Sequence, residues 1–192
     1  MQVDGGGYFE SIPHHQPLWY TTKRQLVIKP THIEKWIAAI AAQPAQFRSL
    51  VENLSAAELD LPYRPGGWTV KQVVHHVVDS HLNSLIRFKW TLTEDNPTIK
   101  AYYEDRWATL EDYNQTPVSV SLNMLDALHH RWVILLKSLT PEQLKRTFVH
   151  PESGDTIPLD ALIGMYAWHG DHHIAHIKLA LSAVYTRNGQ VL

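Results

Sequence analysis

The 192-residue chain predicts an all-α protein built as a four-helix bundle. Three observations point there. Apolar residues recur at three- and four-residue steps along four long stretches, the signature of one buried helix face. Cap and turn signals separate those stretches. The length suits one domain with a sizeable core.

The elements follow in order. Residues 1–30 predict an irregular segment, because Gly5-Gly6-Gly7 and the region of Pro13 and Pro17 resist regular structure; His14 and His15 are expected at the surface there. Thr31–Leu54 is the first helix, with Ile33, Trp36, Ile37, Ile40, Phe47, Leu50, Val51 and Leu54 as its stripe; Pro44 should kink or split it. Ser55–Gly67 is a connection. Thr69, followed three residues later by Gln72, forms a capping box that starts a second helix running to about Leu92. Its stripe is Val70, Val73, Val74, Val77, Leu85 and Phe88. Thr93–Pro117 is long and weakly patterned, with Trp107 and Leu110 as expected anchors. Antiparallel neighbours need only about two to eight linking residues. A connection this long therefore predicts that helices two and three run parallel, with the segment crossing the bundle. Ser119–Leu139 is the third helix, on a seam of Leu122, Leu125, Leu128, Trp132, Leu135 and Leu139. Thr140-Pro141-Glu142-Gln143 opens a short turn of helix, and Phe148–Leu159 reads as a small hairpin. The last helix spans Leu159–Tyr185. The bundle domain is thus 31–185, and 186–192 is a tail.

Composition narrows the function. A net charge of −2 and a near-neutral isoelectric point give no reason to expect nucleic acid or an anionic membrane surface as partner. The absence of cysteine excludes disulfides, thiolate ligands and a cysteine nucleophile, and fits a cytoplasmic protein. No apolar run approaches the roughly 20 residues of a membrane span, and the N-terminus lacks a charged-then-apolar signal pattern. Seven Trp and eight Tyr imply core, and some may line a pocket for a small-molecule substrate.

Four of the 13 histidines, His169, His172, His173 and His176, lie within eight residues of the last helix. At about 100° per residue, His169, His173 and His176 fall inside the apolar stripe with Leu162 and Tyr166, and Asp171 and Lys178 fall opposite. A lone inward histidine is usually a hydrogen-bonded core residue. Two of them four apart on one face can instead converge on a metal ion. Position 170 is Gly, so this is not the H-E-x-x-H of zinc proteases. The inward Glu residues of ferritin-like sites are also missing. A further ligand must come from elsewhere. The second helix offers His75, His76 and His81; periodicity places His81 nearest the stripe centre and leaves His76 on a flank, and by itself does not choose His76.

Gly66-Gly67-Trp68-Thr69-Val70-Lys71-Gln72-Val73-Val74-His75-His76, Asp79-Ser80-His81 and Trp168-His169 through His173-Ile174-Ala175-His176 resemble the DinB-like superfamily and, within it, the YfiT-like branch. The likeness extends to Thr31–Leu54, Pro62-Tyr63-Arg64 and His130-Arg131-Trp132. It implies a four-helix bundle holding one divalent metal per chain, zinc or nickel, on one histidine of helix two and two histidines four apart on the last helix. Carried over, these are His76, His169 and His173. It further implies a metal-dependent hydrolase, and a homodimer.

Three imidazoles leave a coordination position open, as catalytic rather than structural sites do. The open position suits activation of water for hydrolysis. It equally suits holding a low-molecular-weight thiol as thiolate, which would make the protein a bacillithiol-type S-transferase. A reading from another class is a non-catalytic, stress-associated metal-binding bundle. Asp79 could orient an imidazole or act as a base, or simply sit on a solvated face. Arg131 could bind an anionic group or form a surface ion pair. His176 could support a ligand, be a fourth one, or fill core. His129, His130 and His172 are expected at the surface or in the core.

Overall fold

The computed structural model describes residues 28–187. Four long helices dominate: α1 (Pro30–Val51), α3 (Val70–Thr93), α6 (Val118–Lys137) and α8 (Leu159–Arg187). Between them lie the short helices α2 (Ala56–Leu59), α4 (Glu104–Trp107), α5 (Glu111–Gln115) and α7 (Pro141–Leu144). One antiparallel hairpin, β1 (Thr147–Val149) with β2 (Thr156–Pro158), pairs Phe148 with Ile157. The irregular segment expected for 1–30 and the tail expected for 186–192 fall outside the described residues, apart from 28–30 and 186–187.

Contacts between helices fix the topology. α1 packs on α6 and α8, and α3 packs on the same two, so the order around the bundle is α1, α6, α3, α8. Along α3 and α6, His75 meets Ser121, His81 meets His129 and Phe88 meets Trp132. Position rises with position, so the two helices are parallel, as the long connection predicts. α8 runs antiparallel to α3, with His76 beside His173 and Arg87 beside Tyr166. The crossover is held by Ile99, Ala108 and Tyr113, all buried. Trp107 helps through its ring contact with Tyr102. Leu110 is no anchor: it is exposed, because it precedes α5 on the outward side of the turn.

The ends of the elements obey local chemistry. Thr69 caps α3: its hydroxyl accepts from the Gln72 amide, and its own amide donates to Gln72 Oε1. Arg64-Pro65-Gly66-Gly67 is a turn with Gly67 N–H donating to Arg64 C=O and Gly66 at φ +70°, a left-handed conformation that favours glycine. It carries Trp68 back over the start of α3.

Pro44 does not split α1, which is continuous from Pro30 to Val51. A proline inside a helix removes the amide that would bond the carbonyl four residues earlier. Here that carbonyl belongs to Ile40, and His129 Nδ1 of α6 occupies it at 2.7 Å. The lost bond is replaced from a neighbouring helix.

The interior has two apolar clusters. One gathers Ile40, Phe88, Trp132, Leu162 and Ile163; the other gathers Phe47, Val74, Val77, Leu125 and Ile177. Gln43, His81, His129 and His173 lie between them, buried. In this middle layer α1 and α8 approach closely. Gly170 faces Gln43, whose Nε2 donates to Ala167 C=O at 2.8 Å, and a Cβ at 170 would lie 2.1 Å from the Gln43 amide carbon. Glycine stands there because the facing side chain fills the space. Gly170→Ala is expected to evict that buried amide and destabilise the fold by about 1–3 kcal/mol. Thermal unfolding checks it: an unchanged Tm means the Gln43 contact is not the reason for glycine.

Candidate metal centre

α3 and α8 together place three imidazoles at one end of a cavity of about 750 Å³. His169 and His173 share a face of α8 because four residues are just over one turn. The stripe of Leu159, Leu162, Ile163, Tyr166, Ile177 and Ala180 is buried against the bundle and turns that face inward. His76 enters from antiparallel α3. One ligating nitrogen from each of the three lies within 4.8 Å of the other two. His76 Nε2 and His169 Nε2 are 3.4 Å apart. Two nitrogens each about 2.0–2.1 Å from one tetrahedral ion are themselves about 3.3–3.4 Å apart. The donor set and this spacing therefore fit a divalent metal.

Burial, followed by the charge of the neighbouring imidazoles, holds His169 and His173 well below the ordinary histidine range. Both are thus neutral near pH 7, the form that donates a lone pair. Trp68 lies against the His76 ring at 4.5 Å. His173 Nδ1 meets His176 Nδ1 at 3.3 Å, and His176 stacks on Tyr63 at 4.0 Å. His176 therefore supports the His173 ring from one turn away and lies outside the three-histidine group.

The other candidates disperse. Asp79 is half-buried, and its Oδ2 accepts from the Tyr113 hydroxyl at 2.6 Å. Burial pushes its carboxyl up. It braces the crossover segment and is neither part of the imidazole cluster nor on a solvated face. Arg131 is exposed on α6, away from the cavity lining, as is His130. His75 is buried with Nδ1 2.7 Å from Ser121 Oγ. His172 stacks on Trp168 at 4.6 Å. His81 is fully buried, where periodicity puts it, and its Nε2 faces His169 Nδ1 at 3.1 Å. His129 is a core residue.

Sequence reasoning missed Arg87. It is 7% exposed, lines the cavity, and has its Nη1 3.5 Å from the Tyr166 hydroxyl. A signal existed: His76, Ser80, Ser84 and Arg87 follow one another at helical spacing as polar residues on a buried face. Tyr102 also lines the cavity, and burial pushes its hydroxyl up.

This fold and site define a helical bundle with a histidine-floored cavity able to take a metal ion. The DinB superfamily matches residues 39–177, and the chain belongs to it. Similar proteins include one of Bacillus mycoides named "Putative metal-dependent hydrolase", 60% identical over 145 residues that cover 76% of this chain and 83% of that one. One of Bacillus cereus with the same description is 56% identical over 158 residues, covering 82% and 89%. Among solved structures, YfiT from Bacillus subtilis, "a probable metal-dependent hydrolase with an unusual four-helix bundle topology", matches with a TM-score of 0.81 and 44% identity over 88% of this chain and 95% of that one. A mycothiol-dependent maleylpyruvate isomerase shares the fold at a TM-score of 0.61 and 13% identity, covering 76% and 60%. No helix among the described residues is long and apolar enough to cross a membrane.

Burial also makes the fold sensitive to acid. It depresses His129 to about 4, against an ordinary value of 6.5. A histidine depressed in the folded state binds its proton more readily when unfolded. Its contribution is therefore complete above pH 6.5 and is lost as pH falls from there towards 4, amounting to about 3 kcal/mol for this group. The Tm of metal-free protein is expected to drop steadily over that window; a flat profile from pH 7 to 4.5 contradicts it.

Proposed function

We propose that the protein is a metal-dependent hydrolase acting on a small molecule bound in the cavity above His76, His169 and His173. The convergence of these three imidazoles at the base of a large cavity carries the reading. The names borne by the relatives and by YfiT support it. His76, His169 and His173 would hold one divalent ion, zinc or nickel, through ring nitrogens. Bound there, such an ion supplies Lewis acidity that activates water and polarises the susceptible bond.

The chain's own groups do the remaining work. Trp68 packs on His76 and shields one side of the cluster from solvent. The β1–β2 hairpin closes another wall through Phe148 and Ile157. Arg87 sets a buried positive charge near His169, on the side from which substrate lies over the cluster. No carboxylate belongs to the three-histidine group, and Asp79 is engaged by Tyr113; the carboxylates that line the cavity are Glu104, Asp105 and Glu152. We further propose a homodimer, supported by exposed Val120, Met124 and Ile134 on α6; light scattering at micromolar concentration checks it, and a monomer mass counts against it.

Alanine at 76, 169 or 173 is expected to lower zinc or nickel content sharply. It is also expected to lower the Tm of metal-loaded protein, because an ion bound only by the folded state adds to stability. His75→Ala should keep the metal yet lose stability, since it vacates a buried hydrogen bond to Ser121. Elemental analysis with thermal unfolding reads both. Zinc- or nickel-loaded protein should hydrolyse members of an ester, amide and phosphoester panel. Activity seen only with an added thiol and an electrophile would overturn the hydrolase reading in favour of S-transfer.

A further inference from the structure

A chain of hydrogen bonds links α1 to the cluster through two histidines that are not among the three. Ile40 C=O lies 2.7 Å from His129 Nδ1, His129 Nε2 lies 2.7 Å from His81 Nδ1, and His81 Nε2 lies 3.1 Å from His169 Nδ1. A carbonyl only accepts, so His129 Nδ1 carries hydrogen. A neutral imidazole carries one N–H. His129 Nε2 is then bare, so His81 Nδ1 must donate to it. His81 Nε2 is bare in turn, and His169 Nδ1 must donate to that. The direction of every bond follows from the first.

We propose that Ile40 C=O, His129 and His81 form an ordered relay that fixes His169 as its Nδ1–H tautomer and aims a bare Nε2 at His76 and His173. Pro44 starts the relay, because its missing amide leaves the Ile40 carbonyl to His129. His81 and His129 are positioning residues and act through His169. Both are buried, with a partner at each ring nitrogen. Groups that orient a metal-bound histidine typically change metal affinity by about 10–100-fold when lost.

The ordering rests on the hydrogen bonds alone; its effect on metal rests on the proposed function. Long-range proton–nitrogen NMR of ¹⁵N-histidine-labelled, metal-free full chain near pH 7.5 should show His129, His81 and His169 all as Nδ1–H tautomers. His129→Leu should release His169 from that form and weaken zinc binding by about 10–100-fold in competition with a chelator. His129→Gln, whose amide both donates to Ile40 and accepts from His81, should restore both. An Nε2–H form of His169 in the wild type overturns the relay, even if the leucine variant does not fold. So does a folded leucine variant with unchanged tautomer and zinc affinity. Nδ1–H tautomers in a wild type that binds no zinc support the relay and refute the metal reading.

Arg87 carries a second, independent inference. Its guanidinium is buried, and among the described residues its Nε has no hydrogen-bond partner and its one hydrogen bond, to Tyr166, is long. A buried cation left so poorly paired is costly. The cavity it lines is where an anion can reach it. We infer that the substrate carries a carboxylate or phosphate that Arg87 binds, and this deepens the proposed function. Inorganic phosphate and acetate, titrated into metal-free protein, should bind saturably to wild type and to Arg131→Gln but not to Arg87→Gln, with circular dichroism showing that both variants fold. Because no metal is present, the result is separate from the fate of the metal reading. Equal binding by Arg87→Gln, or none by wild type, overturns the inference.

Discussion

A neutral imidazole has two ring nitrogens and one proton, and inside a protein both nitrogens need partners. That constraint governs the middle of this bundle. Two apolar clusters are separated by a layer in which α1 supplies Gln43, α3 His81, α6 His129 and α8 His173. Each histidine there is placed by what the next can offer it. The helices pack in register because a shift of one residue in any of them would leave these buried groups facing carbon, at a cost comparable to several lost hydrogen bonds.

The topology serves this layer. With α3 and α6 parallel and adjacent, the equivalent levels of the two helices meet: His75 with Ser121, His81 with His129, Phe88 with Trp132. The 94–117 segment runs back along the bundle to make this possible. It also brings Tyr102 to the cavity wall and Tyr113 to Asp79. The connection that looks featureless in composition therefore both sets the helix direction and contributes a wall.

Much of this was legible in the sequence, and the failures have physical causes. Caps and stripes located the four long helices to within a few residues, since Thr69 with Gln72 and the Leu122–Leu125–Trp132 seam are local signals. The parallel pair was legible from connection length. His169 and His173 were legible because their spacing lies within one helix. His76 was not, because α3 is buried around most of its circumference by α6, α8 and the crossover, so its stripe has no narrow centre; the family resemblance singled it out. Arg87 was passed over because an arginine is ordinarily exposed, and only the fold shows the cavity that surrounds it. That Pro44 does not split α1 has a related cause: the partner of the carbonyl it frees, His129, lies 89 residues from Ile40. Leu110, expected as an anchor, is exposed.

The proline in α1 has a practical meaning for protein engineering. Judged by helix propensity, position 44 is the obvious residue to replace, since proline is the poorest helix former and alanine the best. Yet the carbonyl it leaves open is where a helix with no place in the histidine cluster gains influence over it. Restoring the backbone amide there would set an internal donor against His129 for one acceptor. A stabilising programme guided by secondary structure alone would thus tidy the helix and disturb the core, and a design that keeps the proline retains a link between α1 and the imidazole layer that a regular helical backbone could not supply.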